Sequence, residues 1–185
     1  MEPKIRRIKE RVAYSDPDNR WVTLFFDEVE FPDGRQGRYN RIVEHAGIDG
    51  VAILPFTLGL IGLARQYRYP VGRAMWEIPR GFGESGDSRI DATRELREEI
   101  GVEVSPATLV SLGDVHPNSG LLQGKVVLFA ADCSGIVLDD SVTDGEVPQF
   151  RWVRIDDAFR MAGSGEITDA ITLSALLRSR CLGLI

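Results

Sequence analysis

The sequence RGFGESGDSRIDATRELREEIGV occupies residues 80–102 and is the most informative stretch of this chain. Its first part is rich in glycine. Its second part predicts a helix that begins near Ser88, where Ser88 and Asp91 offer a capping pair, and that ends at Gly101. The apolar residues that recur at every fourth position of this helix, and can pack on a sheet, are Ala92, Leu96 and Ile100.

The same helix carries three glutamates at positions i, i+3 and i+4, namely Glu95, Glu98 and Glu99, so their carboxylates project from one side. Like charges at this spacing repel by about 0.2–0.5 kcal/mol per pair. Either Arg94 and Arg97 offset that repulsion on a solvated helix face, or a hard divalent cation such as Mg²⁺ binds the carboxylate oxygens. The glycine-rich loop favours the metal site, because a compact turn lets backbone carbonyls approach the same point.

The rest of the chain predicts mainly strands, with two more helices near the end. The predicted strands are residues 21–29, 37–44, 51–54, 58–66, 75–78, 109–115, 125–131 and 149–153, and the later helices are 156–161 and 168–180. A turn at residues 31–34 joins the first two strands into a hairpin. Because strands outnumber helices and do not alternate with them, α+β is the predicted fold class. Residues 1–45 are expected to form a separate small sheet.

Composition and charge limit the classes of function. The 185 residues carry 22 Lys and Arg against 28 Asp and Glu, a net charge of −6, which argues against a protein that grips nucleic acid through its phosphates. The longest apolar stretch, residues 51–64, is too short to span a membrane. The basic N-terminus lacks the apolar core of a secretion signal, so a cytoplasmic location is expected. Cys133 and Cys181 have no spacing typical of a disulfide framework or a zinc site and are interpreted as reduced thiols.

The stretch at residues 80–102 resembles the signature of the Nudix hydrolase family: Gly, five residues, Glu, seven residues, then Arg-Glu-apolar-x-Glu-Glu-x-Gly-apolar. The residues that match the second half in full are Arg94, Glu95, Leu96, Glu98, Glu99, Gly101 and Val102. The segment WEIPRG at residues 76–81 strengthens the resemblance. The first half departs from the signature, because Asp87 stands where the family has Glu and only six residues separate it from Arg94. We interpret this as the deletion of one residue, with Asp87 as a shortened substitute.

Two further segments, residues 65–70 and 165–170, resemble the ADP-ribose pyrophosphatase branch of that family. The resemblance implies an α/β/α sandwich with a mixed sheet, in which residues 46–185 form the Nudix hydrolase domain. It also implies that residues 1–45 are a strand-rich segment exchanged between the subunits of a homodimer. The implied reaction is cleavage of the pyrophosphate of ADP-ribose or a related nucleoside diphosphate sugar, with Mg²⁺ or Mn²⁺, to a nucleoside monophosphate and a sugar phosphate. No membrane or nucleic-acid partner is expected.

Carried over by position, the resemblance assigns roles to individual residues. The implied metal ligands are Glu95, Glu99, the backbone carbonyl of Arg80, and Glu98, which also counts as catalytic. The implied substrate-binding residues are Arg68, Glu77, Trp21 and Phe25, the last two near the nucleobase. The residues that would support the site are Gly81, Asp87, Arg94 and Gly101. For the substrate-binding residues the alternatives are a surface ion pair for Arg68, a solvent-facing strand position for Glu77, and core or dimer packing for the two aromatic residues.

The carboxylate that activates water is expected in the acidic loop at residues 139–146, where Glu146 or Asp144 could serve and a solvated turn is the alternative. His116, in an earlier loop, either approaches phosphate or structures its turn. GDP-mannose or a dinucleotide is an alternative substrate, because neither fold nor site fixes the nucleobase. The shortened signature also leaves open a sensor that binds a nucleotide sugar without cleaving it. The three glutamates favour an enzyme.

Overall fold

The computed structural model describes residues 4–136 and 149–185. The chain forms two compact units. One unit contains the residues up to Asp49 together with His116–Lys125, and the other contains Gly50–Val115 and Val126–Ile185. The predicted N-terminal segment, residues 1–45, thus falls within a unit that also includes a segment from the middle of the chain.

Within the described residues, the first unit is an antiparallel sheet arranged around one long strand. Its strands are β1 (Arg6–Lys9), β2 (Val12–Asp16), β3 (Asn19–Glu30) and β4 (Gln36–Glu44). β3 pairs with each of the other three, and its longest pairing is with β4. The predicted hairpin between these two strands is confirmed. Its turn uses Gly34 at a φ of 83°, a conformation that glycine adopts without steric cost.

The second unit contains a mixed sheet, seven-stranded over the described ranges. Its strands are β5 (Gly50–Thr57), β6 (Leu60–Arg68), β7 (Arg73–Glu77), β8 (Arg80–Phe82), β9 (Val110–Val115), β10 (Val126–Asp132) and β11 (Gln149–Arg154). The order is β11-β6-β5-β10-β9, with β7 paired to β6 and β8 paired to β5. β5 and β10 run parallel, and the other pairs are antiparallel.

Helices cover both faces of this second sheet. They are α1 (Ser88–Ile100), α2 (Ile155–Ser164) and α3 (Ala170–Cys181). The continuous apolar run of β5 reflects this double burial: Val51 and Ile53 belong to the same core cluster as Leu96 of α1, whereas Leu54 belongs to the cluster that contains Ala175 of α3. The predicted α/β/α sandwich with a mixed sheet is confirmed.

The bounds of α1 agree with the sequence pattern, but its cap differs. The helix begins at Ser88, and Gly101 ends it in a left-handed conformation with φ 66°. The predicted capping pair of Ser88 with Asp91 is wrong, because the N-cap is Asp87, whose carboxylate accepts a hydrogen bond from the backbone N–H of Arg89 at 2.9 Å. Asp91 is thereby left to bind the preceding loop.

The sequence pattern does not predict β1, β2 or β8. These strands have three to five residues each, which is too short for an alternation of apolar and polar residues to be recognised. In the part of the chain that the structure describes, no helix has both the length and the apolar character needed to cross a membrane.

Candidate active site

The three glutamates of α1 lie where the core meets solvent. Glu95 and Glu99 are buried, with 9% and 8% of their surface exposed, while the Glu98 side chain is 43% exposed. The apolar stripe of the helix explains the difference, because the two buried glutamates directly flank Leu96 and Ile100, which pack in the core. A buried carboxylate requires hydrogen bonds or a counter-charge.

Both buried carboxylates contact the backbone of β8. The Glu95 carboxylate lies so close to Gly81 that a Cβ at that position would overlap it, so only glycine leaves the carboxylate in this place. The backbone N–H of Arg80 donates to Oε1 of Glu99 at 3.5 Å. Pairing of β8 with β5, with Val51 opposite Gly81, fixes this backbone in the sheet.

Arg94 neutralises two of the three glutamates. Its Nη2 lies 2.8 Å from Oε1 of Glu95, and its Nη1 lies 2.8 Å from Oε2 of Glu98. Nη2 also donates to the carbonyl oxygen of Phe82 at 2.9 Å, which ties α1 to β8. Burial raises the pKa of Glu95 above its ordinary value; Arg94 opposes this effect, and the charges of Glu98 and Glu84 add to it.

The donor set at this site suits a hard divalent cation, although Arg94 supplies the positive charge in this arrangement. Nowhere in residues 4–136 and 149–185 do three His, Cys, Asp or Glu side chains come close enough to share a metal ion. The chemistry of the donors fits Mg²⁺, which prefers carboxylate oxygens. The Glu95 carboxylate occupies the space that a side chain at position 81 would fill. The donor types of Glu95, Glu98 and Glu99 therefore fit a cation, whereas their spacing in this arrangement does not bring three carboxylates together.

Asp91 anchors the glycine-rich loop, a role that sequence reasoning missed. Its carboxylate, 2% exposed, accepts hydrogen bonds from the backbone N–H groups of Glu84 at 3.0 Å and Ser85 at 2.9 Å. Asp87 instead caps the helix. A signal was present in the sequence. Asp91 directly precedes Ala92 of the apolar stripe, and a charged side chain near the buried face of a helix needs partners.

A second cluster of charges, on β6, β7 and β8, surrounds Glu77. This carboxylate is 1% exposed, so the alternative of a solvent-facing strand position is wrong. Nε of Arg68 lies 3.1 and 3.0 Å from its two oxygens, and Nη2 of Arg68 lies 2.6 Å from Oε2. Nη2 of Arg80 contacts the same Oε2 at 2.8 Å. One buried carboxylate therefore holds two guanidinium groups.

The cluster continues to the start of α3 through Asp169, which the sequence did not single out. Nη1 of Arg80 lies 3.3 Å from Oδ1 of Asp169. The other oxygen of Asp169 accepts hydrogen bonds from the backbone N–H and the hydroxyl of Thr172, both at 2.8 Å. The Thr172 hydroxyl oxygen accepts in turn from the N–H of Ile78 at 3.0 Å. Hydrogen bonds thus connect α3 to the segment between β7 and β8.

The family model of the NUDIX domain matches residues 44–174, which include the three glutamates and the cluster around Glu77. This chain belongs to the Nudix hydrolase family. It is 31% identical over 158 residues to the ADP-ribose pyrophosphatase of Bacillus subtilis (strain 168), a match that covers 84% of this chain and 83% of the relative. It is 30% identical over 155 residues to the ADP-ribose pyrophosphatase of Mycobacterium tuberculosis, covering 82% of this chain and 72% of the relative.

Two other proteins resemble this Nudix hydrolase, one in part of its sequence and one in its fold. A methanol dehydrogenase activator of Bacillus methanolicus is 42% identical over 86 residues, covering 45% of each chain. A crystal structure of an ADP compounds hydrolase superimposes with a TM-score of 0.78 and 19% identity, covering 98% of this chain and 94% of that one. At that identity the structural match supports the fold alone.

Two predicted substrate residues of this Nudix hydrolase, Trp21 and Phe25, lie in the first unit. Trp21 is 55% exposed, and its ring packs against His45 with 4.9 Å between ring centroids. Phe25 is partly buried, and the guanidinium of Arg41 lies 3.9 Å from its ring centroid. The two aromatic rings thus differ in how much of their surface a ligand could reach.

Three candidates of the Nudix hydrolase remain. Glu146 and Asp144, the candidates for the catalytic base, lie outside the described residues, and His116 belongs to the first unit. A cavity of about 470 Å³ in the second unit is lined by residues that include Trp76 and Arg151. None of its lining residues is a predicted site residue, so this cavity is separate from the glutamate site.

Proposed function

We propose that this Nudix hydrolase cleaves the pyrophosphate bond of ADP-ribose or a related nucleoside diphosphate sugar with Mg²⁺ or Mn²⁺. The products are a nucleoside monophosphate and a sugar phosphate. The proposal is carried by the two buried glutamates, Glu95 and Glu99, which lie against the backbone of β8 with Glu98 beside them at the surface. Two relatives that cover most of the chain support the substrate class, because both are ADP-ribose pyrophosphatases.

Glu95, Glu98 and Glu99 would hold the cation, together with the backbone carbonyl of Arg80. When bound, the cation neutralises charge on the phosphates and lowers the pKa of a water molecule. The protein contributes the orientation of the ligands. Packing of α1 on the sheet fixes the helix, and Arg94 joins that helix to β8 through the carbonyl of Phe82. The backbone that carries the glutamates is therefore held in place before substrate arrives.

Other residues would bind the rest of the substrate and activate water. Arg68 presents a planar guanidinium, which suits a phosphate or ribose oxygen, and Glu77 restrains it with three hydrogen bonds. Trp21 and Phe25 would hold the nucleobase by stacking. Glu146 or Asp144 would accept the proton of the attacking water.

We also propose that the enzyme is a homodimer assembled through the first unit. That unit exposes many large apolar side chains, namely Ile5, Ile8, Val12, Tyr14, Trp21, Phe26 and Tyr39. Burial of exposed apolar surface favours association, and a second copy of the chain is the partner we propose. Analytical ultracentrifugation should report a dimer, and a monomer at all concentrations would contradict this part of the proposal.

The function is tested by incubating the protein with ADP-ribose, GDP-mannose and a dinucleotide in Mg²⁺, in Mn²⁺ or in EDTA, and identifying the products. We expect ADP-ribose to yield AMP and ribose 5-phosphate only when metal is present. Glu99→Gln should lower kcat by about 10²–10³-fold. The matched control is Glu103→Gln, at an exposed position just after α1, which should keep full activity. Full activity of Glu99→Gln would contradict the assigned site, and calorimetric binding of ADP-ribose without products in either metal would indicate a sensor instead.

A further inference from the structure

The side chain of Arg80 has no role in the function proposed above, yet it lies beside that of Arg68. Their Nη2 atoms contact the same oxygen of Glu77, at 2.8 and 2.6 Å. Because both Nη2 atoms contact one oxygen atom, the two guanidinium groups are direct neighbours. The arginine side chains are 22% and 27% exposed, whereas that of Glu77 is 2% exposed. The carboxylate is enclosed, whereas both arginine side chains are partly exposed.

We propose that Arg68 and Arg80 form a clamp for the diphosphate of the substrate, and that Glu77 and Asp169 are positioning residues of this clamp. The proposal rests on the function proposed above, because it names the residues that recognise the anionic part of the substrate. It assigns to the Arg80 side chain a binding role, in addition to the metal-binding role expected of its backbone carbonyl.

The donors left over on the two arginines support a ligand. A guanidinium carries five N–H donors. Arg68 directs Nε and Nη2 to Glu77, and Arg80 directs Nη2 to Glu77 and Nη1 to Asp169. Among the acceptors of the described residues, Nη1 of Arg68 and Nε of Arg80 have no hydrogen-bond partner. Two adjacent guanidinium forks with unused donors match two phosphoryl groups joined by one oxygen.

The need for a second arginine also favours binding over a structural role. One guanidinium neutralises one buried carboxylate, and Arg68 already gives Glu77 three hydrogen bonds. Arg80 adds a second positive charge, which Asp169 balances while its other oxygen caps α3. Buried ion pairs add little net stability, so a cluster of four charges is better explained by the geometry that it imposes on its exposed edges.

The location of the clamp agrees with the chemistry. Arg80 also donates its backbone N–H to Glu99, one of the expected metal ligands, at 3.5 Å. Arg80 thus carries both a side chain of the clamp and a backbone N–H that contacts an expected metal ligand. The same residue would link recognition of the anion to the site of cleavage.

The test compares Arg80→Gln with Arg80→Lys and with the control Arg65→Gln. Arg65 is exposed on β6, and its guanidinium carbon lies 5.7 Å from the ring centroid of Trp76. KM and kcat are measured with ADP-ribose, and the Kd of ADP-ribose is measured by calorimetry in EDTA. Arg80→Gln should raise KM and Kd by about 10- to 100-fold with a smaller change in kcat. Arg80→Lys keeps the charge for Glu77 and Asp169 but loses the fork, so it should recover part of that affinity. Arg65→Gln should match the wild type.

Unchanged KM and Kd in folded Arg80→Gln would overturn the clamp. If circular dichroism shows that this variant does not fold, Arg80→Lys decides: wild-type KM and Kd in that variant would overturn the clamp, and raised values would support it. If the wild type hydrolyses no nucleoside diphosphate sugar, the proposed function fails by itself. The clamp is then tested by calorimetric binding of inorganic pyrophosphate. Arg80→Gln should weaken this binding, and equal binding by the variant and the wild type would refute the clamp.

The role of Asp169 is tested by a double-mutant cycle. Asp169→Asn keeps an oxygen that can accept from Thr172 and removes the charge that orients Arg80, so it should raise KM several-fold with kcat retained. In the Arg80→Gln background it should have no further effect on KM, because its action passes through Arg80. Equal effects in both backgrounds would show that Asp169 does not act as a positioning residue.

Discussion

Gly81→Ala tests the close approach between α1 and β8. The new Cβ would overlap the Glu95 carboxylate, which is the movable end of a side chain, so Glu95 should rotate away and lose its contact with Arg94. Loss of one charged hydrogen bond costs about 1.5–3 kcal/mol. The reduced entropy of the unfolded chain returns about 0.4–1 kcal/mol. The free energy of unfolding should therefore fall by about 1–2 kcal/mol, whereas kcat should fall by about 100-fold because Glu95 is displaced.

Urea denaturation and ADP-ribose hydrolysis measure the two effects. The matched control is Gly163→Ala in α2, where an added Cβ meets nothing within 4 Å and the helix should gain about 0.5–1 kcal/mol. In a Glu95→Ala background the stability cost of Gly81→Ala should vanish, because the overlapping carboxylate is gone. The same cost in both backgrounds, or wild-type kcat in Gly81→Ala, would refute the reasoning.

Three further predictions concern other parts of the molecule. Burial raises the pKa of Asp27, but hydrogen bonds from the Arg41 side chain and the Arg11 N–H, with positive charge nearby, bring it below 3.8. Ionised Asp27 therefore stabilises the fold above pH 3.8, and this stabilisation is lost as the pH falls through the lower pKa of the folded state. In Asp27→Asn the free energy of unfolding should depend less on pH in the acid range. An unchanged pH dependence would contradict this. Asp91→Ala should lower the free energy of unfolding in urea by about 2–3 kcal/mol, since two loop N–H groups lose their acceptor; a change within experimental error would contradict the anchoring role. Burial raises the pKa of Cys133 to about 11, so a thiol reagent at pH 8 should label only Cys181 in the native protein and both cysteines in denaturant. Labelling of both in the native protein would show that Cys133 is accessible.

Most strands of the second unit could be predicted from the local sequence, because strands that are buried on both faces are continuous runs of apolar residues. Residues 51–54 predicted β5 for this reason, and the bounds of α1 follow from its apolar period and Gly101. β8 could not be predicted in the same way, since its three residues contain a glycine and their extended conformation depends on pairing with β5. Its position matters because it carries the backbone that the glutamates contact.

The candidate site was predictable where neighbours in the chain define it. The spacing of Glu95, Glu98 and Glu99 places three carboxylates on one side of a helix whatever the fold. The contact of Arg80 with Asp169 joins β8 to the start of α3, and no local pattern specifies which charged residues meet across such a distance along the chain. The burial of Glu77 could not be predicted either, because it depends on two arginines that the fold brings to it.

The central claim is that the glutamates of α1 form a metal-dependent site for pyrophosphate hydrolysis, and ³¹P NMR of ADP-ribose incubated with the protein and Mg²⁺ tests it most directly. We predict that both diphosphate resonances disappear and that two phosphate monoester resonances of equal intensity replace them. The diphosphate should persist in EDTA and with Glu99→Gln. Persistence of the diphosphate with the wild-type protein in both Mg²⁺ and Mn²⁺, or its cleavage at the same rate by Glu99→Gln, would contradict the account.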